Sequence, residues 1–152
     1  MAFADYTSQG AVAVITLKNP PVNALGLGLR AAIADGIERA GADASIRAVV
    51  ITGSGNAFCG GADVSEFGLP IVSASPSLAD LFSQIENSPK PVVAAINALA
   101  LGGGLELAMA CHYRVAAAAA QLGQPEVNWA FCRVPAERSG CRAWWASSGH
   151  ST

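Results

Sequence analysis

Residues 91–111, PVVAAINALALGGGLELAMAC, set three consecutive glycines and one glutamate inside a stretch otherwise long and apolar enough to cross a bilayer. A lipid-facing helix would have to bury Glu106 and absorb a break at Gly102, Gly103 and Gly104. A buried strand over 91–96, a glycine turn and a buried helix from 104 to 111 accommodate the same residues without either cost. The stretch therefore predicts a strand, turn and helix in a protein core, and no membrane partner.

The rest of the chain repeats that alternation. Residues 11–18 (AVAVITLK) are rich in β-branched side chains and close on Asn19-Pro20-Pro21, which predicts a strand and a turn. Residues 28–40 carry Leu29, Ile33 and Ile37 at four-residue spacing, the apolar stripe of a helix. Residues 47–52 (RAVVIT) form an almost continuous apolar run, as in a parallel strand covered on both faces, and a Gly- and Asn-bearing loop follows over 53–61. Residues 68–77 predict a surface loop of the kind that covers ligands. Residues 78–87 have helical spacing at Leu78, Leu81, Phe82 and Ile85, and residues 113–120 are apolar without a decisive period. Strand and helix in alternation predict an α/β fold with a mostly parallel sheet.

Composition narrows the function classes. A hydrophobic fraction of 52% over 152 residues suffices for one packed domain. A net charge of −2 and scattered basic residues give no attraction to polyanions, which argues against nucleic-acid partners. Residues 1–10 show no basic stretch leading into an apolar run, so no secretory signal is readable and an intracellular site is expected. Cys59, Cys111, Cys132 and Cys141 have neither CxxC nor zinc-finger spacing, so free thiols and no metal are expected.

Two glycine-rich turns follow predicted strands: Phe58-Cys59-Gly60-Gly61-Ala62-Asp63 and Leu101-Gly102-Gly103-Gly104-Leu105-Glu106. Glycines there let backbone N–H groups approach a ligand oxygen, and a helix start adds its positive dipole end. The same turns elsewhere serve only tight packing of strand on helix. Neither precedes Lys-Ser or Lys-Thr, which excludes a Walker phosphate loop, and Gly102 to Gly104 do not show the dinucleotide spacing GxGxxG. Glu106, among apolar and small residues, must be paired, hydrogen-bonded or functional if buried, or else points to solvent from the helix edge. Glu126, in Gly123-Gln124-Pro125-Glu126-Val127, is a second acid; two carboxylates at one site can divide acid and base roles. Asp63 reads as a helix cap and His112 as structural.

Taken in order, Asn19-Pro20-Pro21-Val22-Asn23-Ala24-Leu25, the Phe58–Asp63 turn, Ala100-Leu101-Gly102-Gly103-Gly104-Leu105-Glu106-Leu107-Ala108 and Gly123-Gln124-Pro125-Glu126-Val127 resemble the crotonase (enoyl-CoA hydratase/isomerase) family over about residues 11–128. The stretch Cys111-His112-Tyr113-Arg114-Val115-Ala116 is similar to the hydratase part of multifunctional β-oxidation enzymes. The resemblance implies a spiral of ββα units, here incomplete at the C-terminus, acting on acyl-CoA thioesters. It implies no cofactor, since coenzyme A belongs to the substrate, and no metal. The Ala62 and Gly103 amides would hold the thioester oxygen. Glu106 would orient and deprotonate the attacking water and Glu126 would supply the α-proton. Val22, Gly61 and Asp63 match coenzyme A-binding positions. Members form homo-oligomers. The resemblance places the protein in a bacterial cytoplasm, or in a peroxisome or mitochondrion of a eukaryote.

The pattern breaks after Asn128, where the family continues with Leu-Gly, a Pro-Gly loop and an Arg-Leu-Pro helix. Reading the third base of each codon with the next two, Trp129-Ala130 must encode Gly, Phe131-Cys132 Leu, Trp144-Trp145 Val and Trp145-Ala146 Gly. All four fall where the family pattern has them. We therefore expect residues 1–128 to be the front part of the domain and residues 129–152 a frame-shifted, non-native tail, lacking the usual C-terminal oligomer interface. Both glutamates favour hydration of trans-2-enoyl-CoA; the alternatives are the double-bond isomerase of the same family and an inactive remnant that at most binds acyl-CoA weakly.

Overall fold

A computed structural model describes residues 3–68 and 75–125. Glu126, most of the predicted 68–77 loop and the 129–152 tail lie outside the described residues.

The chain begins with an antiparallel hairpin. Strands β1 (Ala4–Gln9) and β2 (Val12–Leu17) pair from Ala4↔Leu17 to Gln9↔Val12. Helix α1 (Leu27–Ala42) then returns the chain to β3 (Ala48–Gly53), which lies parallel to β2. From β3 onward a regular unit repeats. Each unit places one strand in a five-stranded sheet, one short strand in a second sheet, and then a helix. The first comprises β3, β4 (Ala57–Cys59) and α2 (Leu78–Glu86); the second comprises β5 (Val92–Ile96), β6 (Leu99–Leu101) and α3 (Gly103–Ala110). A third opens with β7 (Tyr113–Ala116) and β8 (Leu122–Gly123). The larger sheet has the order β1-β2-β3-β5-β7 and the smaller one β4-β6-β8. This is the expected spiral of ββα units.

One face of the larger sheet carries the core. Ala13, Ile15 and Leu17 of β2, Val49 and Ile51 of β3, and Val92, Ala94 and Ile96 of β5 are buried with Leu29, Ile33 and Ile37 of α1 and Leu81, Phe82 and Ile85 of α2. The opposite face is only half-buried among the described residues: Val14 pairs with Val50, and Val50 with Val93, and none is sealed. The expectation that residues 47–52 are covered on both faces is thus not met. A continuous apolar run looks the same whether its second face is buried or half-open.

The stretch 91–111 folds as β5, β6 and α3, and among the described residues no helix is long and apolar enough to cross a membrane. The predicted 53–61 loop contains β4, whose three residues are all buried. α2 starts with a capping box, in which the Ser77 hydroxyl accepts the Asp80 N–H and the Asp80 carboxylate accepts the Ser77 N–H.

Candidate active site

The site is assembled from two turns that the smaller sheet holds side by side. β4 delivers Gly60-Gly61-Ala62-Asp63, and β6, parallel to it, delivers Gly102-Gly103. Gly61 adopts φ +104°, in a region that favours glycine. A β-carbon there would stand 3.0 Å from the Leu101 carbonyl oxygen and 3.5 Å from the Gly103 nitrogen. A β-carbon on Gly103 would stand 3.3 Å from the Ala62 nitrogen. Behind them, a β-carbon on Gly104 would overlap the Cys59 carbonyl, so glycine alone lets α3 seat against β4 at this depth. The Ala62 and Gly103 backbone nitrogens therefore lie close to one another.

Among the described residues neither amide donates a hydrogen bond. Gly103 opens α3, so its N–H is one of the orphan donors at a helix start, and the helix dipole adds positive potential. Two unpaired donors brought together in this way can stabilise an oxygen on which negative charge develops.

Glu106 lies three residues along α3 from Gly103, hence on the same face. α3 buries Gly103, Gly104, Leu107 and Ala108, while Leu105, Glu106 and Met109 are half-buried. Glu106 thus lies at the edge of the buried stripe, between the sealed and the solvent-facing positions considered from the sequence.

The loop over residues 19–25 braces the first turn. Asn23 is 1% exposed and has φ 54°. Its side-chain amide donates to the carbonyls of Ser54 (3.1 Å), Ala57 (2.9 Å) and Phe58 (3.3 Å), and its Oδ1 accepts the Asn19 N–H at 2.9 Å. The Gly60 N–H donates to the Val22 carbonyl at 2.7 Å, and Leu25 N–H to the Gly61 carbonyl at 2.8 Å. Val22, Gly61, Ala62, Asp63 and Gly103 are therefore one neighbourhood. Asp63 caps the short 3-10 turn Val64–Glu66, accepting from the Ser65 N–H at 3.0 Å and hydroxyl at 2.6 Å. His112 sits apart, its Nδ1 accepting the Val92 N–H at 3.1 Å.

Cys59 and Cys111 are free and buried, and burial pushes both thiols up to about 12. Protonated at neutral pH, neither serves as a nucleophile. On the β6 edge, β8 carries the chain past the second turn, where the Gly102 N–H donates to the Gly123 carbonyl at 2.9 Å. Sequence reasoning passed over Arg30 and Glu66. Yet Arg30 shares the helix face of Ile33 and Ile37, and an arginine inside an apolar stripe is a readable signal.

Comparison with known proteins finds relatives of this chain. The peroxisomal bifunctional enzyme of Danio rerio is 55% identical over 117 residues, covering 77% of this chain and 16% of that protein. A probable enoyl-CoA hydratase of Bacillus subtilis is 47% identical over 122 residues, covering 77% and 47%. Among solved structures, an enoyl-CoA hydratase/carnithine racemase from Magnetospirillum magneticum superposes with a TM-score of 0.83 at 32% identity, over 94% of this chain and 57% of that one. The chain thus spans half or less of the curated relatives' length. The family model for enoyl-CoA hydratase/isomerase matches residues 7–136, and the chain belongs to that family.

Proposed function

We propose that this chain carries the oxyanion-binding and water-activating parts of an enoyl-CoA hydratase site, acting on trans-2-enoyl-CoA thioesters in acyl-chain degradation. The observation that carries the reading is the meeting of the Ala62 and Gly103 amides, both without a protein acceptor among the described residues, one helical turn from Glu106.

In this reading the thioester carbonyl oxygen sits between the two amides. Their N–H dipoles, with the α3 dipole behind Gly103, stabilise the enolate-like charge that develops as water adds to the β-carbon. Glu106 orients the water and takes its proton; Glu126 delivers the proton that completes syn addition at the α-carbon. Val22, Gly61 and Asp63 form the wall against which the coenzyme A portion lies. No cofactor is required, since the thioester acidifies its own α-position. The relatives named for a peroxisome and from a bacterium are consistent with a peroxisomal or bacterial cytoplasmic setting.

Hydration of crotonyl-CoA by the purified chain tests the proposal. Glu106→Gln keeps the shape but removes the base, and should lower kcat by about 10²–10⁴-fold with a small change in KM. Soluble, folded protein with no turnover above the Glu106→Gln background would contradict it. Conversion of a 3-enoyl-CoA without hydration would favour the isomerase.

A further inference from the structure

We propose that Arg30 and Glu66 are positioning residues, a buried pair that clamps the loop bearing the Ala62 amide to the start of α1. The inference rests on the hydratase reading for its kinetic consequence, and on the geometry alone for the clamp.

The start of α1 has no cap of its own. Its N-cap is Gly26, without a side-chain hydrogen bond, and its first turn holds no acid. The missing acceptor comes from elsewhere in the chain: Glu66 Oε1 accepts the Leu27 N–H at 2.7 Å. Its other oxygen lies 3.5 Å from Arg30 Nη1, with the two side chains only 5% and 15% exposed. Nη1 also donates to the Leu25 carbonyl at 3.5 Å.

These contacts close a ring. The strand-like bridge Leu25↔Ala62, with the Leu25 N–H on the Gly61 carbonyl, ties one end of the loop to residues 25–30. The Glu66 carboxylate ties the other end to the same residues, and the Ala62 N–H belongs to the peptide whose carbonyl forms the first tie. Gly26 shows how tightly the loop is drawn in. A β-carbon there would stand 2.9 Å from Glu66 Oε1 and 3.1 Å from Asp63 Oδ2.

Stability alone accounts poorly for this arrangement. Among the described residues Arg30 Nε and Nη2 have no hydrogen-bond partner. A buried ion pair so incompletely satisfied is commonly matched or bettered by apolar side chains of similar volume. What an apolar pair cannot do is fix the loop's register, and an oxyanion donor displaced by about 1 Å can cost on the order of a hundredfold in rate.

The test compares Glu66→Gln, Arg30→Met, their double variant and Arg30→Lys in the whole chain. Two readouts are taken: steady-state crotonyl-CoA kinetics, and amide hydrogen exchange across residues 60–68. Glu66→Gln is nearly isosteric and should fold. The clamp predicts exchange at 60–68 faster by ~10-fold or more, with β3 and β5 still protected. It also predicts kcat lower by ~10- to 100-fold at a KM within about threefold, partial rescue in Arg30→Lys, and a double variant no worse than the worse single one. Unchanged exchange at 60–68 in Glu66→Gln would overturn the clamp, as would acceleration spread evenly over the molecule. Should the unsubstituted chain show no turnover, the hydratase reading fails while the exchange result still decides the clamp.

Discussion

Gly103 does two things at once: it opens a helix and it brings its backbone close to the Ala62 nitrogen. Replacing it with alanine sets a methyl group 3.3 Å from the Ala62 nitrogen, against the region where a thioester oxygen would lie. We expect Gly103→Ala to lower kcat/KM on crotonyl-CoA by ~10- to 100-fold, while the midpoint of thermal unfolding moves only slightly, because the helix position itself accepts alanine. Kinetics and a thermal melt on the same preparation check both halves. Both turns were legible in the sequence as glycine-rich turns after strands, although spacing alone did not separate ligand binding from tight packing of strand on helix. That residues 62 and 103 come together was readable only through the family resemblance and not from spacing, because they meet through the pairing of β4 with β6. The Glu66 role was equally hidden, its partner Leu27 lying 39 residues away.

Elements, in this fold, borrow their ends from one another. α1 is read easily from Leu29, Ile33 and Ile37, yet both of its ends also draw on residues distant in sequence. Glu66 serves its start, and Lys90 serves its finish: Nζ donates to the carbonyls of Ala40 and Asp43, each at 2.6 Å. A cation there also complements the helix dipole. Lys90→Met should therefore destabilise the protein by about 1–2 kcal/mol, measured by urea unfolding, without changing substrate affinity. The elements that sequence reading missed are the short or polar ones. β4, β6 and β8 have two or three residues, too few to show a period. β1 is an edge strand with Asp5, Thr7, Ser8 and Gln9, and such a strand needs no apolar run because its outer side meets solvent. The long parallel strands were legible because burial on at least one face forces β-branched side chains.

Across the whole molecule, the interior that seats the site also sets an alkaline limit. Cys59 and Cys111 titrate near 9.0 when exposed and near 12 when folded, because burial disfavours the thiolate. A pKa raised by folding means that the stabilisation is complete below about 9 and is lost as pH rises from there toward 12. Stability should thus fall over that window, and a Cys59→Ala, Cys111→Ala variant should show a shallower fall relative to its own value at neutral pH; parallel slopes in urea unfolding would refute this.

We propose that the Ala62 and Gly103 amides jointly receive the thioester oxygen. It is tested most directly by following the backbone amide resonances of the ¹⁵N-labelled chain during titration with butyryl-CoA, which binds as a thioester but cannot be hydrated. We predict that the Ala62 and Gly103 amide protons shift downfield together, with one apparent Kd, while the amides of β1 stay in place. Saturable butyryl-CoA binding that leaves those two amides unmoved would contradict the claim.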